Sequence, residues 1–467
     1  MNAKRPVLTV YITNYNYGNY IRKAIESVFQ QSFQDLELLI IDDGSTDHSR
    51  NIIEQYAERP NVRVIYQQNK GLNITNNIAL QLARTRYIMR LDADDYLKAD
   101  ALEKMVEVLE ANPEIGLVFP DYYLVDKEEH ILAEIKRHDF DKEVSLLDQP
   151  AHGACTMIRT EFLRNVGGYD EAYSCQDGYE LWIKFVTKYP VANIREPLFF
   201  YRQHGENLTT NEERILHTRR TIKRDFINKN ALELPVTVAI IPVRNTYLSG
   251  KLLPFTELGG KTLLDIKIET ALESRLIRKV IVTSADAGTG IYVRERYADE
   301  ARVLFIDRPM SLARHNVSLV GTIRHVLAAP ELEKEHITAT MILPIEFPFL
   351  RVEDIEDAIN TLVIFKADSV ISVRIERSSF YQHHGGGMIP ILDQEKFTRL
   401  EREALYKHVG GMTLTYAENL EKEGKVLAGK VGHVVVDQAT SLGISSLYEL
   451  EIARFWYERS GKVVGQK

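Results

Sequence analysis

Cysteine is nearly absent: Cys155 and Cys175 are the only two in 467 residues. That excludes a disulfide framework and a cysteine-based zinc cluster, and it fits a reducing compartment. No apolar run reaches the roughly eighteen residues needed to span a bilayer. The apolar lead that follows the short basic start stops at polar Asn14 and Asn16, too short for a secretory signal core. We therefore expect a cytoplasmic protein. Excess positive charge is missing too: 58 Lys and Arg face 66 Asp and Glu, a net charge of −8, which gives no support to nucleic-acid binding. What remains, 45% hydrophobic and 27% charged residues, is the composition of a soluble globular protein. Its length exceeds what one core usually holds, so two domains are expected.

The first half alternates strand-like runs with amphipathic segments: VLTVYI, YIRKAIESVFQQ, LELLIIDD, SRNIIEQYAE, VRVIYQ, ITNNIALQLA and YIMRLD. That β-α-β-α order predicts a mostly parallel sheet flanked by helices, with ligands collecting at the carboxyl ends of the strands. The polar clusters TNYNYGNY, DDGSTD and DADD fall at those ends. Near residue 235 the chain starts again with LPVTVAIIPVRN and a second alternation of strand and helix patterns. We expect an α/β domain over 1–210, a basic helical linker over 211–234 and a second α/β domain over 235–467. In the linker, Ile215, Ile222 and Phe226 recur at helical spacing among Arg and Lys. A connecting helix with a solvated basic face is preferred, and peripheral contact at the inner membrane face stays open.

The stretch MRLDADDYL crowds Asp92, Asp94 and Asp95 at the end of an apolar run. An Asp-rich turn alone could end a strand. A divalent cation would also explain it, because Mg2+ and Mn2+ take carboxylate and phosphate oxygens and would cancel the repulsion.

Read together, ITNYN (12–16), IIDDGSTD (40–47), RLDADD (90–95), GACTMIR (153–159), GGYDE (167–171), QDGYELW (176–182) and YRQHGENLT (201–209) resemble the family 2 glycosyltransferases in order and spacing. The resemblance implies the GT-A nucleotide-sugar-binding fold and a Mn2+ or Mg2+ cofactor. It implies nucleotide contacts at Thr13, Tyr15 and Asp42, and Asp92 on ribose or metal. Asp94 is the expected direct ligand, with Asp95 as the alternative. Asp177 corresponds to the family's catalytic base, with Gly178 as an extra residue before Tyr179. Arg202 and His204 correspond to the late motif near the diphosphate, where a planar guanidinium suits phosphate. Plain alternatives accompany several of these: helix capping with Ser45 for Asp42 or Asp43, a helix cap for Asp177, and a structural role for His204. Both cysteines are expected to be packing residues.

The second half resembles the acylneuraminate and 3-deoxy-octulosonate cytidylyltransferases through AIIPVRN, KLLPFTELGGKTLLD, VIVTSAD, RPMSLA, ADSVISV and ISSLYELEIA. The chain departs from that family where chemistry is concentrated. The triphosphate loop is shortened to RNTYLSGK, with Leu248 where the family has Lys, and the metal-binding Asp pair is replaced by Gly443, Ile444 and Ser445. We therefore expect an inactive domain in which Arg244, Lys251, Asp286 and Arg308 form a vestigial sugar or nucleotide pocket. The resemblance also implies a homodimer through this domain.

The combined expectation is a metal-dependent inverting glycosyltransferase. It would use a nucleoside diphosphate sugar donor, UDP or dTDP favoured because Asp42 suits a base N–H between two carbonyls, and a glycan or glycoconjugate hydroxyl as acceptor. Two rivals stand beside it: a bifunctional enzyme that also forms a CMP-activated acidic sugar, and a non-catalytic glycan- or nucleotide-binding scaffold.

Overall fold

The computed structural model describes residues 5–136, 153–173, 175–203 and 212–464, apart from 245, 249, 315, 377, 379 and 392–404. The chain forms two compact units, Met1–Arg219 and Arg220–Lys467.

In the first unit the elements run β1 (Leu8–Asn14), α1 (Ile21–Phe29), β2 (Leu36–Asp42), α2 (Ser49–Ile53), β3 (Val62–Tyr66), α3 (Leu72–Leu82), β4 (Tyr87–Asp92), β5 (Tyr96–Leu97), α4 (Ala101–Ala111), β6 (Leu117–Val125), β7 (Ile131–Ile135), β8 (Met157–Arg159), α5 (Thr160–Asn165), α6 (Asp177–Val186) and β9 (Val191–Arg202). They build one sheet in the order β3-β2-β1-β4-β8-β6-β9-β5, with β7 on β6. Strands β3, β2, β1 and β4 are mutually parallel, whereas β8 runs antiparallel to both β4 and β6.

Alternation along the parallel strands divides the core into two layers. Val10, Ile12, Leu38 and Ile40 face one layer with Ile25, Leu102 and Met105. Tyr11, Leu39 and Ile41 face the other with Ala79, Phe119, Trp182 and Phe185. A strand buried on both faces reads as a continuous apolar run, which is why VLTVYI and LELLII look unpatterned in sequence. Helix α1 buries Ile21, Ala24, Ile25 and Val28, the i, i+3, i+4, i+7 stripe of a helix lying on a sheet. Truncating such a side chain, Ile12→Ala for example, costs about 2–5 kcal/mol.

The second unit has its own seven-stranded sheet. Its parallel core is Val303–Asp307, Ile277–Ser284, Thr237–Pro242 and Ala339–Ile342. Leu405–Tyr416 follows antiparallel to the last of these and to Ser369–Glu376, on which Val431–Val435 lies parallel. Both units are thus α/β with mostly parallel sheets.

Helix α7 (Glu212–Lys229) contains the division between the units, and its basic face is not simply solvated. In the second unit Lys223 is buried and pairs with Asp357 at 2.6 Å and Thr361 at 2.9 Å. Arg220 pairs with the fully buried Asp354. Two cations that composition assigns to solvent or to a membrane surface are instead spent on carboxylates of helix Val352–Ile364, beside the buried Ile222 and Ile227. No helix among the described residues is long and apolar enough to cross a membrane.

Candidate active site at the carboxyl ends of the first sheet

Register alone collects the first group of site residues. Thr13 on β1 lies opposite Asp92 on β4, Asn14 lies opposite Asp42 on β2, and Asp42 lies opposite Tyr66 on β3. Asp42 accepts hydrogen bonds from Asn14 Nδ2 at 2.7 Å and from the Ser45 backbone N–H at 2.9 Å. The turn between them needs Gly44 at φ +84, where an added Cβ would meet the Asn69 backbone nitrogen at 2.8 Å. Asp43 has another task. It accepts from Gln67 Nε2 at 2.7 Å and from the backbone N–H groups of Lys70 and Gly71 at 2.8 and 2.9 Å, tying down the loop that starts α3. Neither aspartate caps a helix with Ser45. Asp47, one residue ahead of the α2 N-cap His48, accepts from Ser49 N at 2.9 Å and from Gly18 N at 2.8 Å. Tyr15 stands 47% exposed at the rim, as a ring available for stacking must.

The acidic turn follows β4, closed by the Asp95 N–H to the Asp92 carbonyl at 3.1 Å. Its three carboxylates are not equivalent. Asp95 is 1% exposed; its Oδ1 accepts from the Arg202 N–H at 2.9 Å, and its Oδ2 has no hydrogen-bond partner among the described residues. Asp92 keeps a quarter of its side chain exposed and accepts from Thr13 Oγ1 at 3.5 Å. Burial, with Asp94 and Asp177 adding to it against the pull of Arg90, pushes the Asp92 carboxyl up to about 6. Asp95 is pushed well above the usual range by burial and then by Asp94 and Asp92.

Arg202 does not face the crevice as a phosphate fork. It is 2% exposed, with Nε donating to the Asp94 carbonyl at 2.9 Å, Nη1 to the Lys127 carbonyl at 3.1 Å and Nη2 to Glu129 at 3.1 Å. Its guanidinium also lies 4.9 Å from the Tyr20 ring and 5.4 Å from the Tyr96 ring. The arginine anchors the acidic turn from beneath, because the carbonyls and the carboxylate there offer better partners than solvent. His204 lies outside the described residues.

Asp177 opens α6 after Gln176, whose backbone takes the left-handed conformation and whose side chain accepts from Arg219 Nε at 2.7 Å. No side-chain cap hydrogen bond forms at this helix start. The carboxylate instead accepts from Arg90 Nη1 at 2.5 Å. Arg90, on β4, is a residue of this candidate site that pattern reading passes over. Its Nε also lies 2.9 Å from Asp92 Oδ1 without pointing its N–H at it, and Nη2 donates to Asp92 Oδ2 at 3.4 Å. Burial alone would lower the guanidinium's affinity for its proton, but Asp92 and Asp177 outweigh it and raise it. The one available signal was an arginine inside the buried run YIMRLD. Cys155 is buried and Cys175 sits 3.3 Å from Thr218 Oγ1, neither beside a base.

The donor set fits a hard divalent cation. Asp92 and Asp94 offer carboxylate oxygens whose mutual repulsion Arg90 does not fully offset at Asp92, and among the described residues a buried carboxylate oxygen of Asp95 lacks a donor. Among the described residues no three acidic, histidine or cysteine side chains converge into a ready-made cage. A cation here would therefore complete its shell with ligand phosphates and water, the usual habit of Mg2+.

In the second unit Arg308, Asp286 and Arg244 lie at neighbouring strand ends: the Arg308 backbone N–H donates to the Ser284 carbonyl at 2.9 Å, the Asp286 N–H to Ser284 Oγ at 3.1 Å, and the N–H of Val243, before Arg244, to the Thr283 carbonyl at 2.9 Å. Asp286 caps the helix Ala287–Arg296, accepting from Thr289 N and Oγ1 at 2.6 and 2.8 Å, and Lys251 is exposed on a two-residue strand. Arg308 is 3% exposed and donates to the Val243 carbonyl, and among the described residues its Nε and Nη1 have no partner. Burial, then the neighbouring Arg244, lowers its proton affinity. Ile444 is fully buried, and the Ser445 N–H and Oγ both donate to Glu449, at 2.7 and 2.6 Å.

Residues 9–167 match glycosyl transferase family 2, so the first unit carries a glycosyltransferase domain of that family. Over 203 residues the chain is 30% identical to a chondroitin synthase of Escherichia coli, covering 43% of this chain and 30% of that protein. It is 26% identical over 237 residues to an uncharacterized glycosyltransferase of Rickettsia typhi, covering 49% of this chain and 74% of the relative. Among solved structures it is similar to S. aureus TarS 1-349 in complex with UDP-GlcNAc. That similarity has a TM-score of 0.42 and 19% identity, over 48% of this chain and 67% of that one. The chain thus spans under a third of the length of the chondroitin synthase.

Proposed function

We propose that the protein is a metal-dependent, inverting glycosyltransferase. It would move a sugar from a UDP- or dTDP-sugar to a hydroxyl of a cell-surface glycan precursor. The observation that carries this is the convergence of Asp42, Asp92, Asp94 and Asp177 on one sheet end by strand register and the Arg90 bridge.

In this proposal Tyr15 stacks on the base while Thr13 and Asp42 hold the nucleotide. Asp94, with Asp92, would hold Mn2+ or Mg2+; such a cation supplies charge neutralisation for the departing diphosphate. Asp95 and Arg202 keep the acidic turn in shape. Asp177 takes the acceptor's hydroxyl proton as that oxygen bonds to the anomeric carbon from the face opposite the leaving group. The bond to the diphosphate oxygen breaks with its electron pair leaving on the nucleotide, and configuration inverts.

The second unit contributes an inactive cytidylyltransferase-like domain in this proposal, since Ile444 and Ser445 offer no carboxylate pair where that chemistry needs one. Assembly as a homodimer through this unit is part of the same proposal, supported by the exposed Tyr381, Met388, Ile389 and Ile391. The rival CTP-dependent activity is favoured by one observation, the buried Arg308 beside Arg244 with donors to spare.

The test is release of nucleoside diphosphate from UDP-, dTDP- and GDP-sugars with Mn2+ and a glycan acceptor, in wild type and Asp177→Asn. Turnover lost in the variant supports the transferase. Equal function in both supports a binding scaffold, and pyrophosphate release from CTP that depends on Arg244 supports the second activity.

A further inference from the structure

We propose that Arg90 is a positioning residue for transfer, clamping the Asp177 carboxylate by Oδ2 so that Oδ1 is presented to the acceptor hydroxyl. Three independent features of the fold point to it. The guanidinium is built on the central strand β4 and is 5% exposed, so it cannot swing into solvent as a surface arginine would. It meets Asp177, 87 residues away in sequence, at 2.5 Å, and Asp92, two residues away, at 2.9 Å. One rigid, planar cation therefore touches both the proton-accepting side and the diphosphate side of the crevice, a task a fork of five donors can do and an ammonium cannot.

The second feature is Gly153. A Cβ there would fall 2.3 Å from Arg90 Nη2 and 2.9 Å from its Cζ, so the backbone closes directly over the guanidinium and any side chain there would displace it. The Cys155 N–H then donates to the Arg90 carbonyl at 2.8 Å, holding that segment against β4. The third is the surroundings of the guanidinium. Tyr11, opposite Arg90 in register on β1, is buried, and its hydroxyl donates to Asn76 Oδ1 at 3.2 Å. The arginine is thus fixed by the backbone over it, by the buried strand β1 beside it and by a carboxylate on each side. A base whose carboxylate is held this way needs no reorganisation when the hydroxyl arrives.

Because this role rests on Asp177 being the base, a double-mutant cycle is the discriminating experiment. Turnover is read as nucleoside diphosphate released from UDP-, dTDP- and GDP-sugars with Mn2+, for wild type, Arg90→Met, Arg90→Lys, Asp177→Asn and Arg90→Met/Asp177→Asn. Arg90→Met should lower kcat at least a hundredfold while changing the donor KM far less, and Arg90→Lys should recover part of it. In the Asp177→Asn background Arg90→Met should cost no more than threefold further. If Arg90→Met proves too unstable to assay, Gly153→Ala keeps the arginine and its charge but displaces the fork, and should show the same selective fall in kcat. An undiminished kcat in the assayed variant overturns the proposal, as does a loss in Arg90→Met that multiplies fully with that of Asp177→Asn. Wild-type turnover in Asp177→Asn alone would instead remove the assignment of the base, a failure distinct from the first two.

Discussion

Each unit buries an arginine at the carboxyl ends of its parallel strands, and the two are compensated in opposite ways. In the first unit Arg90 lies between Asp92 and Asp177, with Asp94 and Asp95 close by, so the surplus charge is negative. In the second, Arg308 neighbours Arg244 and its side chain has, among the described residues, only the Val243 carbonyl as a partner, so the surplus is positive. An ionised group out of water is tolerated when paired and costly when not. The surplus charge at the two strand ends therefore differs in sign, set by a few side chains on the same layered architecture.

The largest effect expected from breaking this contrast is at Asp177. Asp177→Asn should lower kcat by about a thousandfold, in the range general base catalysis usually contributes, with nucleotide-induced stabilisation unchanged. Arg202→Met comes next. The variant should lose about 3 kcal/mol of stability in chemical denaturation because it takes the side-chain donor from the Asp94 and Lys127 carbonyls and one of two cations from Glu129, while an arginine that only touched diphosphate would lose affinity and keep its stability.

The pH dependence of cation binding is a smaller effect with a defined sign. Asp92 is raised to about 6 from 3.8, so its ionised form is a cost in the ligand-free protein that is absent below the unfolded value and complete above about 6. On the proposed function, Mn2+ with UDP should relieve that cost. Their stabilisation should be large at pH 7.5 and shrink as protons compete below pH 6, as followed by calorimetry.

In the second unit, inorganic pyrophosphate should raise the melting temperature of wild type by a few degrees and leave Arg308→Met unshifted. A subtler change concerns Lys267, fully buried with Nζ donating to the Phe347 carbonyl at 2.6 Å and pushed down to about 7 by burial. Its unfolded value is 10.5, so its burial is most costly below pH 7 and the cost fades as pH rises above that. The melting temperature of Lys267→Met should therefore exceed wild type at pH 6, with the gap narrowing by pH 9.

Much of the first site was legible because its residues sit immediately after strands. An apolar run that ends in Asn14, in Asp42 or in Asp92 announces a strand end, and parallel register does the rest. Arg90 was not legible, since its partner lies on a helix 87 residues on and no local pattern distinguishes it from a misplaced surface cation. Arg202 read as a phosphate ligand because the same fork serves carbonyls and carboxylates as well, and only burial decides between them. Asp42 and Asp43 look alike in a row, yet one faces Asn14 and the other a loop that sequence alone could not place beside it. The linker's cations were read as solvated because their acidic partners come from Val352–Ile364, more than a hundred residues later.

The most direct measurement of the central claim is thermal stability against UDP, dTDP, GDP and CTP, each with and without Mn2+, in wild type and Asp94→Asn. A ligand at a hundred times its Kd adds about 2.7 kcal/mol, enough to move a melting transition visibly. The account predicts that UDP or dTDP stabilises the protein only with Mn2+ and that Asp94→Asn abolishes the shift. A shift produced by CTP alone and unchanged in the variant would contradict it, and would place the working site around Arg308.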